Sequence, residues 1–267
     1  MALMPAPLHV YRYGPAGPAR VLALHGLTGH GRRWEHLANG FLPDVPVLAP
    51  DLIGHGRSSW AAPWNFDANI AALSALLEAD GGGPVVVVGH SFGCAVALQL
   101  AEQRPDLVAG LVLLDAAVHL DGDWMSQIAG AMLSSPDYPD RAEAREEKSG
   151  GSWADVDPEL LDADVDEHLI TLPNGRFGWR ICIPAMVSYW SELARPVAYP
   201  RPGTPTVLVR ARWTDPPYVT EELIGGLRER LGDALRLVEL DCLHMVARET
   251  NARSRQANAA TASDIPL

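Results

Sequence analysis

The sequence of 267 residues predicts an α/β fold, in which a mostly parallel, doubly wound sheet carries helices on both faces. Two observations lead to this fold class. Several short apolar runs are continuous rather than alternating, as expected for parallel strands buried on both faces. Segments with helical periodicity fill the gaps between these runs, so that strands and helices alternate along the chain.

The strands can be assigned in chain order. An alternating segment, LHVYRYG (8–14), is typical of an edge strand and precedes the continuous runs. These runs are ARVLALHG (19–26), VPVLAPD (45–51), PVVVVGH (84–90), LVAGLVLLDA (107–116), TPTVLVRAR (204–212) and the less apolar LRLVELD (235–241). Together they predict one sheet of about seven strands.

Three helices are predicted from apolar periodicity and from the residues that begin or end a helix. Apolar residues recur at spacings of three and four over residues 66–77 and form one stripe. Residues 92–103 are rich in alanine and leucine and stop before Pro105, where a helix should end. The segment TEELIGGLRERLG (220–232) opens with Thr220 as a plausible N-cap and closes on a glycine. Each helix lies between two predicted strands, as βαβ units require.

Composition and charge limit the classes of partner. The net charge of −12 argues against nucleic acid and anionic membranes as partners. No apolar run reaches transmembrane length, and prolines interrupt the N-terminal segment where a signal peptide would need apolar residues. The three cysteines have no CxxC spacing, which favours a reducing compartment. We therefore expect a cytoplasmic protein without cofactor or metal, and leave its oligomeric state open.

The regular alternation breaks over residues 120–203. This stretch contains four of the eight tryptophans and predicts a mostly helical insertion between two strands. Its segment DADVDE (162–167) superficially resembles a calcium loop, but Glu167 stands where such a loop needs glycine, and Pro173 where it needs glutamate. The acidic run is therefore expected to be a solvated face rather than a metal site.

The motif GHSFG (89–93) lies where a buried strand becomes a helix. In a strand–turn–helix context, the G-x-S-x-G pattern forces a tight turn that presents the serine hydroxyl, here Ser91, at the sheet edge. The amide of Phe92 then lies at the helix N-terminus, where it can stabilise a developing negative charge. The motif predicts that Ser91 is a nucleophile.

A nucleophilic serine needs a base, and the base needs an orienting acid. His244 lies just beyond the last predicted strand, and Asp215 lies beyond the strand before it. Both positions fall at the carboxyl edge of a parallel sheet, in the chain order serine, acid, histidine. Asp115, at the end of the strand after the GHSFG helix, is an alternative acid. We expect Asp215 to be the acid because the later strand is the more usual source.

Several motifs in this order resemble the α/β-hydrolase superfamily. LHGLTGH (24–30) is similar to its oxyanion loop, DLIGHGRS (51–58) to its D-x-x-G-x-G-x-S turn, and GHSFG to its nucleophile elbow. The segment RARWTD (210–215) lacks the glycine that often precedes the family's acid.

The resemblance implies roles for individual residues. It implies a Ser91–His244–Asp215 triad with the amides of Leu27 and Phe92 as the oxyanion hole. The supporting loop residues are His25, Gly26 and His90. The two histidines are expected to form hydrogen bonds that orient the backbone of these loops. The resemblance also implies a core over residues 1–119 and 204–267 and a cap subdomain over residues 120–203.

A serine at the elbow is similar to esterases, lipases and thioesterases, and implies hydrolysis of a small to medium carboxylic ester through an acyl-enzyme. Hydrolysis of a C–C bond in a diketone, lactone opening and a non-catalytic ligand-binding role are alternatives. A cap over the sheet edge predicts an enclosed, largely apolar pocket.

Overall fold

A seven-stranded sheet forms the centre of the protein, in the strand order β1-β3-β2-β4-β5-β8-β9. The structure is a computed structural model that describes residues 6–248. The strands are β1 (Val10–Tyr13), β2 (Val21–Leu24), β3 (Val47–Pro50), β4 (Val85–His90), β5 (Val108–Leu114), β8 (Thr206–Ala211) and β9 (Leu235–Leu240). Only β1 at one edge is antiparallel to its neighbour, so the predicted fold class and the predicted edge strand are confirmed.

The central strands are buried on both faces, as their continuous apolar runs predict. Along β4, Val85 and Val87 belong to the hydrophobic cluster on one face of the sheet. The alternate residues Val86 and Val88 belong to the cluster on the opposite face. Because every side chain of such a strand enters a core, no polar position is tolerated before the carboxyl edge. The polar residues of these segments therefore collect where the strands end.

Helices cover both faces and include the three predicted ones. They are α1 (Glu35–Phe41), α2 (Phe66–Asp80), α3 (Phe92–Gln103) and α8 (Glu221–Leu231), with four further helices in the insertion. The Thr220 side chain caps α8 by accepting from the Leu223 N–H at 3.1 Å. Helix α1 was not anticipated, because its seven residues are too few for a clear periodicity. None of the helices within residues 6–248 is both long enough and apolar enough to cross a bilayer.

The insertion between β5 and β8 is mostly helical, as the sequence suggested. It contains α4 (Gly122–Ser134), α5 (Arg141–Ser149), α6 (Pro158–His168) and α7 (Ile183–Leu193). An antiparallel hairpin of β6 (Leu169–Thr171) and β7 (Phe177–Trp179), turning at an Asn-Gly pair, was not anticipated. The division into core and cap subdomain stays a prediction, and the ends of its core segment, residues 1–5 and 249–267, lie outside the described residues.

The insertion is attached to loops at the carboxyl edge of the sheet. The Gly56 N–H donates to the Arg180 carbonyl at 2.9 Å, and the Cys182 N–H donates to the Gly54 carbonyl at 2.8 Å. Both bonds join the insertion to the turn that follows β3. The insertion thus contacts the edge at which GHSFG presents its serine.

Candidate active site

Ser91 lies in a strained turn between β4 and α3. Its φ of 53° is in the left-handed region, which is uncommon for residues other than glycine. A Cβ at Gly89 would lie 2.6 Å from the Gly93 carbonyl oxygen, and one at Gly93 would lie 2.2 Å from the Leu24 carbonyl oxygen. Only glycine fits at these two positions, so the flanking glycines of the motif are required by close backbone packing.

His244 forms a short hydrogen bond with Asp115. The His244 Nδ1 lies 2.6 Å from Asp115 Oδ2, and Asp115 is fully buried. The other carboxylate oxygen of Asp115 accepts from the Ala211 N–H at 3.0 Å. The Asp115 carboxylate is therefore fixed by the end of β8 on one side and bonds to the imidazole on the other. His244 and Ser91 line the same cavity.

The structure pairs His244 with the alternative residue Asp115 and not with Asp215, which was expected to be the acid. Asp115 directly follows the last residue of β5, whereas Asp215 is four residues beyond the end of β8. Between β8 and Asp215, the Arg212 N–H donates to the Leu240 carbonyl and the Trp213 N–H donates to the Cys242 carbonyl. These bonds keep the chain beside the end of β9 and carry Asp215 past the edge of the sheet. Asp215 is exposed and forms no hydrogen bond with the described part of the chain.

The segment that was assigned to the oxyanion loop passes directly beside Ser91. A Cβ on Gly26 would lie 2.9 Å from His90 Nδ1 and 3.2 Å from the Ser91 Cβ, so glycine permits this close approach. Leu27 lines the cavity that contains Ser91, and its N–H bonds to no residue between 6 and 248. The Phe92 N–H lies in the first turn of α3, whose amides lack intrahelical acceptors. Two backbone donors therefore remain available near the serine.

The histidines of the supporting loops orient backbone groups. His25 Nδ1 donates to the Gly26 carbonyl at 2.8 Å, and its Nε2 accepts from the Leu52 N–H at 3.0 Å. His90 Nε2 donates to the backbone carbonyl of His244 at 2.8 Å. Burial lowers the pKa of both His25 and His90 well below the usual value. Both rings are therefore neutral and act as fixed donors at neutral pH.

The cavity beside Ser91 has a volume of about 240 Å³ and is more polar than expected. Its lining includes the charged residues Arg33, Glu147 and Lys148 as well as aromatic residues. Among the latter, Tyr218 stacks on the His244 ring with centroids 4.2 Å apart. The expectation of a largely apolar pocket is therefore wrong. No sequence spacing connects these residues, which come from separate elements that the fold brings together.

The acidic run in α6 is only in part the solvated face that was expected, because Asp162 and Asp166 are exposed but Asp164 and Glu167 are buried. Asp164 is fully buried and pairs with Lys148 Nζ at 2.5 Å, Arg33 Nε at 2.8 Å and His30 Nε2 at 3.1 Å. Burial alone would raise the pKa of Asp164, but Arg33 and Lys148 hold it well below its usual value. Within residues 6–248, no three His, Cys, Asp or Glu side chains are arranged to hold a metal ion.

Comparison of the sequence with protein families and curated proteins gives consistent matches. The model of the "Alpha/beta hydrolase family" matches residues 21–254. Lipase LipV of Mycobacterium tuberculosis is 62% identical over 239 residues, which cover 90% of this chain and 91% of the relative. Esterase Rv0045c of the same organism is 39% identical over 106 residues, 39% of this chain and 35% of the relative.

Solved structures share the fold over nearly the whole chain. The crystal structure of E-2-(acetamidomethylene)succinate hydrolase superposes with a TM-score of 0.80 at 17% identity, and covers 97% of this chain and 95% of its own. The M. tuberculosis esterase Rv0045c gives a TM-score of 0.69 at 23% identity, with coverages of 97% and 92%. At these identities the likeness establishes the fold.

Buried neutral histidines make the stability of this protein depend on pH. Burial lowers the pKa of His55, which packs against His25, from 6.5 to about 3. Below the unfolded-state pKa the unfolded chain binds a proton that the folded chain does not, so the free energy of unfolding falls as pH falls. From about pH 7 to about pH 5, this residue should cost about 2 kcal/mol.

Urea unfolding of wild type and His55→Gln over this pH range measures the effect. The variant should lose about 2 kcal/mol less than wild type between the two pH values, whatever its stability at neutral pH. Replacement of His36, which is exposed, by glutamine is the control. An equal pH dependence in wild type and His55→Gln would contradict the lowered pKa of His55 in the folded protein.

Proposed function

This chain belongs to the α/β-hydrolase family, and from that premise we propose that it is a serine hydrolase that cleaves small to medium carboxylic esters. The observation that carries the proposal is the 2.6 Å bond between His244 Nδ1 and Asp115 Oδ2 beside the strained turn of Ser91. A hydroxyl on such a turn, a base at the same cavity and a buried acid behind the base are the three parts of a serine nucleophile system. The relatives named lipase and esterase support ester bonds as the substrate class.

The proposed reaction begins with attack of Ser91 Oγ on the ester carbonyl. His244 Nε2 removes the serine proton and later delivers it to the leaving alkoxide. Asp115 keeps the His244 proton on Nδ1, so that Nε2 is free to act as the base, and stabilises the imidazolium that forms. Water, activated by the same histidine, then hydrolyses the acyl-enzyme and regenerates the serine.

Two backbone amides would stabilise the tetrahedral intermediates. The N–H groups of Leu27 and Phe92 are the proposed donors to the developing oxyanion. Donors of this kind contribute about 3–4 kcal/mol each to transition-state stabilisation in comparable sites. The Phe92 donor also benefits from the positive end of the α3 dipole. Both groups are fixed before substrate binds, which avoids reorganisation during the reaction.

The size of the cavity supports a short acyl or alcohol group. About 240 Å³ is smaller than the range of about 300–1,000 Å³ that is typical for drug-sized ligands. The side chains around it come from the core and from the insertion, including Trp153 and Trp190. A long acyl chain would have to leave this cavity, whereas a short one would be held within it.

Replacement of the nucleophile is the most direct test of the proposed function. Ser91→Ala should fold like wild type, since the change removes one atom at the sheet edge, and should lower kcat by about a millionfold. A fluorophosphonate probe should label wild-type protein and leave the variant unlabelled. Equal labelling of the two proteins would remove Ser91 from its proposed role.

The identity of the acid is tested by a matched pair of substitutions. Asp115→Asn should lower kcat by about ten-thousandfold, because the amide stabilises the wrong histidine tautomer. Asp215→Asn, at an exposed residue, should change kcat by no more than about twofold. Steady-state kinetics on p-nitrophenyl butyrate measure both effects. A larger loss for Asp215→Asn than for Asp115→Asn would refute the role proposed for Asp115 and favour Asp215 as the acid.

A chain-length series of p-nitrophenyl esters tests the preference for short acyl groups. We expect kcat/KM for acetate to hexanoate esters to exceed that for palmitate by about tenfold or more, because the cavity cannot enclose the longer chain. Rates on tributyrin, measured below and above its solubility limit, are the control for interfacial activation. A sharp rise in rate at the emulsion threshold, with palmitate preferred, would refute this specificity.

A further inference from the structure

The Arg33 side chain connects the insertion to the loop beside Ser91. Arg33 lies in the 3-10 helix Gly31–Trp34 and is buried. Its Nε and Nη2 donate to the two oxygens of Asp164 at 2.8 and 3.2 Å. The same Nη2 also donates to the Thr28 carbonyl at 3.2 Å. One guanidinium therefore bonds to the insertion and to the proposed oxyanion loop together.

The loop needs such support because its backbone is strained. Thr28 has a φ of 59°, which is a genuine outlier for a β-branched residue. The Gly29 N–H closes the turn by donating to the Gly26 carbonyl at 2.9 Å, so Leu27 lies inside this turn. A Cβ on Gly29 would lie 2.9 Å from Arg33 Nη1, which places the guanidinium directly against the loop. The orientation of the Leu27 N–H depends on how firmly this turn is held.

One cation is enough to neutralise the Asp164 carboxylate, so the burial of a second cation, Arg33, needs a further reason. Lys148 Nζ already lies 2.5 Å from Asp164 Oδ2, and its side chain is largely buried. Removal of a second cation from water costs free energy, which its hydrogen bonds within the protein must offset. Beyond the carboxylate, Arg33 donates to the Thr28 carbonyl and lies over the Trp153 ring, 4.9 Å from its centroid. The planar guanidinium keeps Nε on Asp164 while Nη2 is directed at the Thr28 carbonyl, an orientation that a single ammonium nitrogen does not fix.

We propose that Arg33, held by Asp164, is a positioning residue that orients the Leu27 N–H toward the oxyanion. The inference rests on the proposed function, since it concerns the intermediates of that reaction. Arg33 also lines the cavity, but in this role it acts through the turn of residues 26–29. The insertion thereby contributes to catalysis through Asp164, in addition to lining the cavity.

A second ion cluster between the same helix and the core provides a matched control. Glu167, also on α6, accepts from Arg32 Nη1 at 2.9 Å and from the Tyr11 hydroxyl at 3.1 Å, and pairs with Arg57. None of these bonds involves residues 26–29. Glu167→Gln therefore weakens the attachment of α6 to the core and leaves the turn beside Ser91 in place.

The test compares Arg33→Met with Glu167→Gln. Arg33→Met leaves Asp164 paired with Lys148, so we expect it to fold, as thermal unfolding will show. On p-nitrophenyl butyrate its kcat should fall about 100-fold with KM changed less than about threefold, as for loss of one oxyanion donor. Its affinity for a trifluoromethyl ketone, which forms a tetrahedral adduct with the serine, should fall in the same proportion. Glu167→Gln should keep both within about twofold.

A further variant keeps the test decisive if Arg33→Met does not fold. Arg33→Lys retains the charge beside Asp164 and should still lose kcat, because an ammonium lacks the rigid plane that holds Nε on Asp164 and Nη2 on the Thr28 carbonyl. Wild-type kinetics by Arg33→Lys, or equal losses of kcat in Arg33→Met and Glu167→Gln, would overturn the inference. Absence of ester hydrolysis and of fluorophosphonate labelling in wild type would instead refute the proposed function itself.

Discussion

The hydrogen bond between Asp115 and His244 depends on three neighbouring strands being in register. Asp115 directly follows β5, Ala211 ends β8 and donates its N–H to the carboxylate, and His244 follows β9. The carboxyl ends of parallel strands meet at one edge, so residues that are far apart in the chain arrive at the same place. A shift of β8 against β5 would separate the Asp115 carboxylate from its backbone donor. The sheet thus positions Asp115 and its backbone donor, and the loops at the same edge supply the other groups of the proposed site.

Much of the fold could be predicted from the sequence because burial on both faces leaves a clear signal. Val85 to Val88 are apolar without interruption, and the structure shows alternate residues in two different cores. The short helix α1 and the β6–β7 hairpin escaped prediction for a physical reason. Their apolar residues are too few to show a period, and their stability comes from tertiary packing rather than from local propensity.

The proposed site could be predicted only in part. The flanking glycines of Ser91 and the strand-end position of His244 are local features, and the structure places both residues at one cavity. The choice between Asp115 and Asp215 required knowing how far the chain runs beyond β8. The absence of glycine in RARWTD was a local sign that this turn is unlike an acid turn. The burial of Asp164 was not predictable from its acidic neighbours, because its partners Arg33 and Lys148 are distant in sequence.

The position of Asp115 on β5 has a consequence for how this enzyme could diversify. Since the acid is supplied by the neighbouring strand, the loop of residues 212–217 carries no part of the proposed catalytic machinery. The loop can therefore change in length and composition while the Asp115–His244 hydrogen bond stays intact, provided that Tyr218 remains stacked on the His244 ring. For laboratory evolution, this loop, which directly precedes the cavity residue Tyr218, is a region whose sequence can be altered separately from the chemical step.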